Sequence, residues 1–227
     1  MTISVQVEVF SIVIVTAVLC LLAVIMGGKV KKSAPDKAPE GLANAAIILV
    51  TFFDNLVHDN MGEKYVKKIS PLIGSIGVYI LISNISGLVS LPNPTGNYSV
   101  TFTLALIAFV LIEKTQIEVK GLGGFLKGFL DPVFLFLPMN IVGELSPLLS
   151  MSMRLFGNIM AGSIIMQLVY AATSLLSSLV PVIGKFNFMG PIIAPVLHAY
   201  FDLFSGVIQT YIFIMLATVL AKSKSES

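Results

Sequence analysis

The sequence predicts an all-α polytopic membrane protein with about five spanning helices, its N-terminus outside and its C-terminus inside. Three observations predict it. Of the 227 residues, 56% are hydrophobic and only 11% are charged, with a mean hydropathy of +0.95, whereas soluble domains carry about a quarter charged residues. Apolar runs long enough to cross a bilayer recur along the chain. The lysines gather in alternate connections between those runs.

The first span is expected from about Val9 to Met26, ended by Gly27 and Gly28. The stretch before it lacks a basic leader region, its first charge is Glu8, and the cluster Lys29, Lys31 and Lys32 follows the apolar run. That order predicts a spanning helix rather than a cleaved signal peptide. Cys20 lies within this run and is the sole cysteine, so no internal disulfide is possible. A polar linker with Pro35 and Pro39 comes next. Residues 41–57 are apolar but broken by Asn44, Asp54 and Asn55, which predicts an amphipathic helix lying in the interface.

A second span is expected over about 69–91 and a third over about 98–112. The turn Pro92-Asn93-Pro94-Thr95-Gly96-Asn97 joins them into a hairpin. Residues 113–131 read as a charged, glycine-rich loop. Residues 132–142, with Pro138 and Asn140, read as a short re-entrant or interfacial piece. Two stretches then run for over 30 residues each, 147–179 and 191–221. At 1.5 Å per residue each is roughly 45–50 Å of helix against a hydrocarbon core of roughly 30 Å, so both must tilt strongly. The connector 181–190 sets them antiparallel. The whole is one membrane domain over 1–227. It divides into a first span (1–28), a cytoplasmic linker with an interfacial helix (29–68), a hairpin (69–112), a cytoplasmic and re-entrant segment (113–145) and a tilted pair (146–221).

Five crossings with the N-terminus outside place every lysine inside except Lys185. The net charge of +2 says nothing useful about nucleic acid, and no nucleic-acid partner is expected. The sequence holds no internal repeat of the kind that builds many transporters.

Charged residues at membrane depth are costly and default to function. Three stand out: Glu144, Arg154 and Asp202. Arg154 cannot shed its proton to escape the cost of burial. Gly157, Asn158, Ala161 and Gly162 follow it at i+3, i+4, i+7 and i+8 and share its face. Small residues there let a partner helix approach closely. On the last helix His198, Asp202, Ser205 and Gln209 recur at i, i+4, i+7 and i+11, one polar stripe. The bland reading of the stripe is a hydrogen-bond ladder between helices; the functional one is an ionisable path.

The segment Ser152-Met153-Arg154-Leu155-Phe156-Gly157-Asn158, then Ala161-Gly162, resembles the signature of subunit a of F-type ATP synthases. Pro138-Met139-Asn140 and Glu144 upstream, the loop 120–125, the hairpin 92–106 and Gln209 match as well, so the resemblance runs over about 71–221. It implies a non-catalytic, ion-translocating subunit of the membrane sector. Its partners would be a c-subunit ring, peripheral-stalk b subunits, the other synthase subunits and the lipid bilayer. It implies no cofactor and no bound metal.

Arg154 would be the stator charge facing the ring carboxylate. Gly157, Ala161, Gly162 and Ser205 would form the ring-contact face. Asn158, Ser163, His198, Asp202 and Gln209 would line an outer half-channel, and Glu144 with Asn140 an inner one. Ser163 departs from the family, which usually carries Glu or His nine residues after the arginine. That reduces a two-residue relay to one carboxylate and a hydroxyl, and leaves room for Na⁺ as well as protons. The lack of a transit-peptide pattern points to a bacterial plasma membrane. Two other classes compete. A secondary transporter would use the midplane arginine to hold an anionic substrate, but it predicts repeats and broken helices. An intramembrane hydrolase needs a nucleophile and base within reach, which the sequence does not supply.

Overall fold

The computed structural model describes residues 7–32, 40–89, 91–130, 134–178 and 190–226. Among them there is no strand. The helices are α1 (Val7–Lys32), α2 (Leu42–Met61), α3 (Glu63–Ile85), α4 (Tyr98–Leu130), α5 (Leu137–Ser178), α6 (Gly190–His198) and α7 (Ser205–Glu226). A π-helical turn, Ala199–Phe204, makes α6 and α7 one continuous rod. Short 3-10 turns at Ser86–Val89 and Pro94–Gly96 form the expected connection between α3 and α4.

Six helical stretches, not five, are long and apolar enough to cross a membrane. The additional one is α2. Asn44, Asp54 and Asn55 do not break it, because Ala43, Ala46, Phe53, Leu56, Val57 and Met61 fall on one buried face. That face packs on α3: the Phe53 ring lies 3.2 Å from where a Cβ on Gly74 would sit and 3.0 Å from that of Gly77. Ser70 of α3 donates its hydroxyl to the Asp54 carboxylate, satisfying a polar group in this contact.

Two further segments are more regular than the sequence suggests. Residues 113–120 continue α4 instead of forming a loop, and the helix turns sharply only at Gly121, whose φ of 70° disfavours any side chain. Lys68 of α3 pairs with Glu118, so charges that suggest a loop instead tie the hairpin together. Residues 137–142 belong to α5. Pro138 stands in its first turn, where a missing N–H costs nothing, and Pro147 is carried inside the helix. Linker residues 33–39, residues 131–133 and the connector at 179–189 with Lys185 lie outside the described residues.

The core lies where α2, α3, α4, α5 and α7 meet. Val57, Ile73, Ile80, Ala105, Ile112, Met151, Leu155, Phe213 and Ala217 are buried there together. Large apolar side chains on the opposite faces stay exposed, including Phe10, Val24, Val110, Leu168 and Ile192. In a protein of this composition those faces meet lipid or other membrane helices. With 42 residues, α5 is about 63 Å long at 1.5 Å per residue, about twice a hydrocarbon core of roughly 30 Å.

Candidate functional site

α5 has two faces. Leu148, Met151, Ser152, Leu155, Ile159, Gly162 and Met166 are buried against the rest of the chain. Arg154 points the other way and is exposed, with exposed Met153, Gly157, Met160 and Ala161 around it. Among the described residues it makes no ion pair and no hydrogen bond. Nothing lies within 4 Å of where a Cβ on Gly157 would sit. The chain therefore presents a permanent cation on a bare, small-residue surface in the middle of a membrane helix.

Gly162 does not share that surface. At i+8 it is rotated about 80° from Arg154 on a helix of 3.6 residues per turn. It packs on Phe201, whose Cβ lies 3.5 Å from where a Cβ on Gly162 would sit. Ser205 also turns inward, donating to Asn158 Oδ1 at 2.9 Å. Of the four residues expected on a ring-contact face, Gly157 and Ala161 are open and the other two join α5 to the last helix.

On that last helix the π turn carries Asp202. Its Oδ2 lies 2.6 Å from Nδ1 of His198, and Nε2 of His198 lies 3.3 Å from the Tyr170 hydroxyl of α5. Asp202 reaches the α3–α4 connection because position 87 is glycine. A Cβ there would stand 3.1 Å from Asp202 Oδ2 and 2.9 Å from Asn93 Oδ1. One turn deeper, fully buried Asn84 donates to the Gly206 carbonyl at 3.2 Å and accepts from Thr95 at 2.9 Å. Gln209 is buried, and its Nε2 has no hydrogen-bond partner among the described residues. Ser163 is exposed and returns its hydroxyl to the Met160 carbonyl at 2.9 Å, taking no part in the Asp202 cluster.

A second polar cluster lies at the opposite ends of these helices. Nζ of Lys224 on α7 is 2.7 Å from Glu144 of α5 and 2.9 Å from Glu113 of α4. The three side chains are only 13–23% exposed. An open cavity of about 570 Å³ adjoins it, lined by Phe109, Phe125, Phe129 and Ile141 besides the two glutamates. Asn140 donates to the Phe129 carbonyl at 3.0 Å, bracing the cavity wall where α4 meets α5. Sequence reasoning misses Glu113, Lys224, Tyr170 and Asn84. Glu113 carries a signal, a charge at the end of an apolar run, and so does Asn84, a polar side chain within a spanning stretch; Lys224 and Tyr170 act through partners far away in the chain.

The family model described as ATP synthase A chain matches residues 9–222. The chain belongs to the ATP synthase A chain family. Its relatives include ATP synthase subunit a of Mycoplasmoides gallisepticum, 32% identical over 226 residues that cover 92% of this chain and 75% of that one. ATP synthase subunit a 1 of Chlorobium luteolum is 34% identical over 71% of this chain and 65% of its own length. A relative from Propionigenium modestum named as sodium ion specific is 33% identical over 74% of this chain and 58% of its own. Members of the ATP synthase A chain family are the non-catalytic membrane subunit of the complex, and the multi-pass helical architecture fits that place. Family membership also removes the transporter and hydrolase readings.

Proposed function

We propose that this chain is the stator of the rotary membrane sector, passing ions through two offset half-channels to and from carboxylates on a c-subunit ring. The single observation that carries the proposal is Arg154, an exposed membrane-helix guanidinium with no partner in its own chain among the described residues. Such a charge at membrane depth calls for an opposite charge from elsewhere. A ring carboxylate supplies one, and the open Gly157 and Ala161 let its helix come close.

The chemistry follows from the fixed charge. A nearby guanidinium favours the ionised carboxylate, so the ring site releases its ion on reaching Arg154. It also repels cations and prevents a direct leak between the half-channels. Each elementary charge crossing 100 mV is worth about 2.3 kcal/mol, so a leak would waste the gradient. Lysine can lose its proton; arginine cannot.

The two polar clusters supply the two half-channels. His198, Asp202, Asn158 and Gln209 belong to the outer one, with Ser163 demoted to a wall residue. Glu144, with Asn140 behind it, belongs to the inner one. The lysine pattern orients them. With α2 lying in the inner interface, five crossings keep Lys29, Lys31, Lys32, Lys64, Lys67 and Lys68 on one side; a sixth crossing by α2 would split them. That places the Lys224 cluster inside and the Asp202 cluster outside. Peripheral-stalk b subunits and the remaining synthase subunits complete the assembly, in a bacterial plasma membrane. Arg154→Ala in the reconstituted complex should abolish ion-driven ATP synthesis while the complex still assembles. Coupled synthesis at the parent rate would refute the proposal.

A further inference from the structure

We propose that the tip of the α3–α4 hairpin is a backstop for Arg154, with Tyr98 the positioning residue that holds the charge against its partner. The inference rests on the stator reading above and goes beyond it, from the charge to what keeps the charge in place. Among the described residues Arg154 has no ion pair or hydrogen bond of its own. Its position is therefore set by α5, and a guanidinium at the end of a long side chain amplifies any roll of the helix beneath it.

An α-helix turns about 100° per residue. Asn158 and Gly162 stand about 40° and 80° from Arg154 around the helix axis, and both meet the last helix. Ser205 donates to Asn158 Oδ1 at 2.9 Å, and Phe201 packs on Gly162. Phe156 and Ile159 stand about 160° and 140° from Arg154, almost directly behind it. Those two meet the hairpin tip. The Phe156 ring sits edge-on to the Tyr98 ring, with centroids 5.6 Å apart and planes at 79°. A Cβ on Gly96 would stand 3.6 Å from Ile159 Cγ2. A partner helix pressing on Arg154 thus pushes α5 onto Gly96 and Tyr98.

The tip is built to resist that push. Pro92 and Pro94 fix two backbone φ angles. The Asn97 side chain accepts from the Ser99 N–H at 2.9 Å and caps α4. Tyr98 also leans on Phe102 one turn along α4, their centroids 5.8 Å apart. Fully buried Thr95 donates to Asn84 Oδ1 at 2.9 Å, and Asn84 donates to the Gly206 carbonyl at 3.2 Å. Gly206 adjoins Ser205, which holds Asn158. The contacts therefore close a loop through the tip, α3, the last helix and α5, and Arg154 faces away from it.

The test uses the complete complex in proteoliposomes. It reads ATP synthesis, and passive proton flux with nucleotide withheld, both per assembled complex. Tyr98→Ala should raise the passive flux above the parent's. It should also lower synthesis at least about threefold, within the roughly hundredfold that a 1 Å misplacement can cost. Tyr98→Phe keeps the ring and should match the parent in both. A residue that only stabilises the fold would change the amount of complex, not the flux through each one. Phe156→Ala should match Tyr98→Ala, and the double variant should be no worse than either, since all three lack the same contact. A Tyr98→Ala flux equal to the parent's overturns the backstop. So does a Tyr98→Phe complex as leaky as Tyr98→Ala, or a double variant in which the losses add. Should Tyr98→Ala not assemble, Tyr98→Leu decides: a raised flux supports the proposal and the parent flux overturns it. Arg154→Ala in the same assay separates the two claims, because failure of the backstop alone leaves that variant leaky.

Discussion

Removing the Lys224 ammonium should be far more damaging than removing either carboxylate it holds. Two carboxylates share this one cation at 2.7 and 2.9 Å. Lys224→Gln leaves both carboxylates close together, 77–87% buried, with the cation gone. Breaking a buried pair this way costs about 3–5 kcal/mol, and residual exposure favours the lower end, about 3. Glu144→Gln instead leaves Lys224 and Glu113 as a balanced pair and should cost less than about 1 kcal/mol. For a chain of this size each kcal/mol moves the midpoint by about 2–4 °C. Thermal loss of helical circular dichroism from the purified subunit should therefore fall by roughly 6–12 °C for Lys224→Gln and by little for Glu144→Gln. Adding Glu113→Gln to Lys224→Gln should recover stability, since one of the stranded charges is gone. Equal midpoints for Lys224→Gln and Glu144→Gln, or a double variant worse than Lys224→Gln alone, would refute the reasoning.

Other expectations follow from the same geometry. A Cβ at Gly157 meets nothing within 4 Å in its own chain, and replacing a mid-helix glycine gains about 0.5–1 kcal/mol of helix preference, so the isolated Gly157→Leu subunit should melt no lower than the parent while ATP synthesis collapses; retained synthesis would remove Gly157 from the ring-contact face. Gly87→Ala pushes a methyl against Asp202 and Asn93 oxygens, and should slow outer ion uptake more than it lowers stability, read by comparing synthesis rate with melting midpoint. Gln209→Leu relieves a buried donor without a partner, a group that costs about 1–3 kcal/mol; the variant should be more stable than the parent yet slower in synthesis, and a less stable variant would contradict this. Asn84→Ala strands the Thr95 hydroxyl and removes one bond at the Gly206 carbonyl, which keeps the hydroxyl of Thr210. Two interhelical hydrogen bonds at about 0.6 kcal/mol each in a membrane predict a loss of about 1 kcal/mol plus a packing cost, measurable by the same melts.

Much of this is readable without coordinates because it depends on local spacing. Arg154 and its open neighbours Gly157 and Ala161 follow from helical period alone. The pairing of His198 with Asp202 follows from their i, i+4 separation, and the tight α3–α4 turn from its Pro, Asn and Gly. Elsewhere competing physics wins. Charge and the glycines beyond argue for a loop at residues 113–120, yet the tertiary pairing of Glu118 with Lys68 supports helix continuation. Pro138 and Pro147 argue for breaks, but one sits in a first turn and the other is tolerated inside a long packed helix. The polar residues of α2 interrupt its composition without interrupting its buried face. The stripe on the last helix does not stay on one surface: a π turn lies within it, His198 and Ser205 meet α5, and Asp202 meets the α3–α4 connection. Lys224 with Glu113 and Tyr170 with His198 join positions 111 and 28 residues apart, and no periodicity reports contacts of that kind.

The central claim is that Arg154 keeps the two access paths apart. Its most direct test is passive proton flux into proteoliposomes holding the complete complex, with a potassium diffusion potential applied and nucleotide withheld so that the ring stands still. With Arg154 present the flux should match that of empty liposomes, and with Arg154→Ala it should rise well above it. A stalled Arg154→Ala complex as tight as the parent would contradict the account.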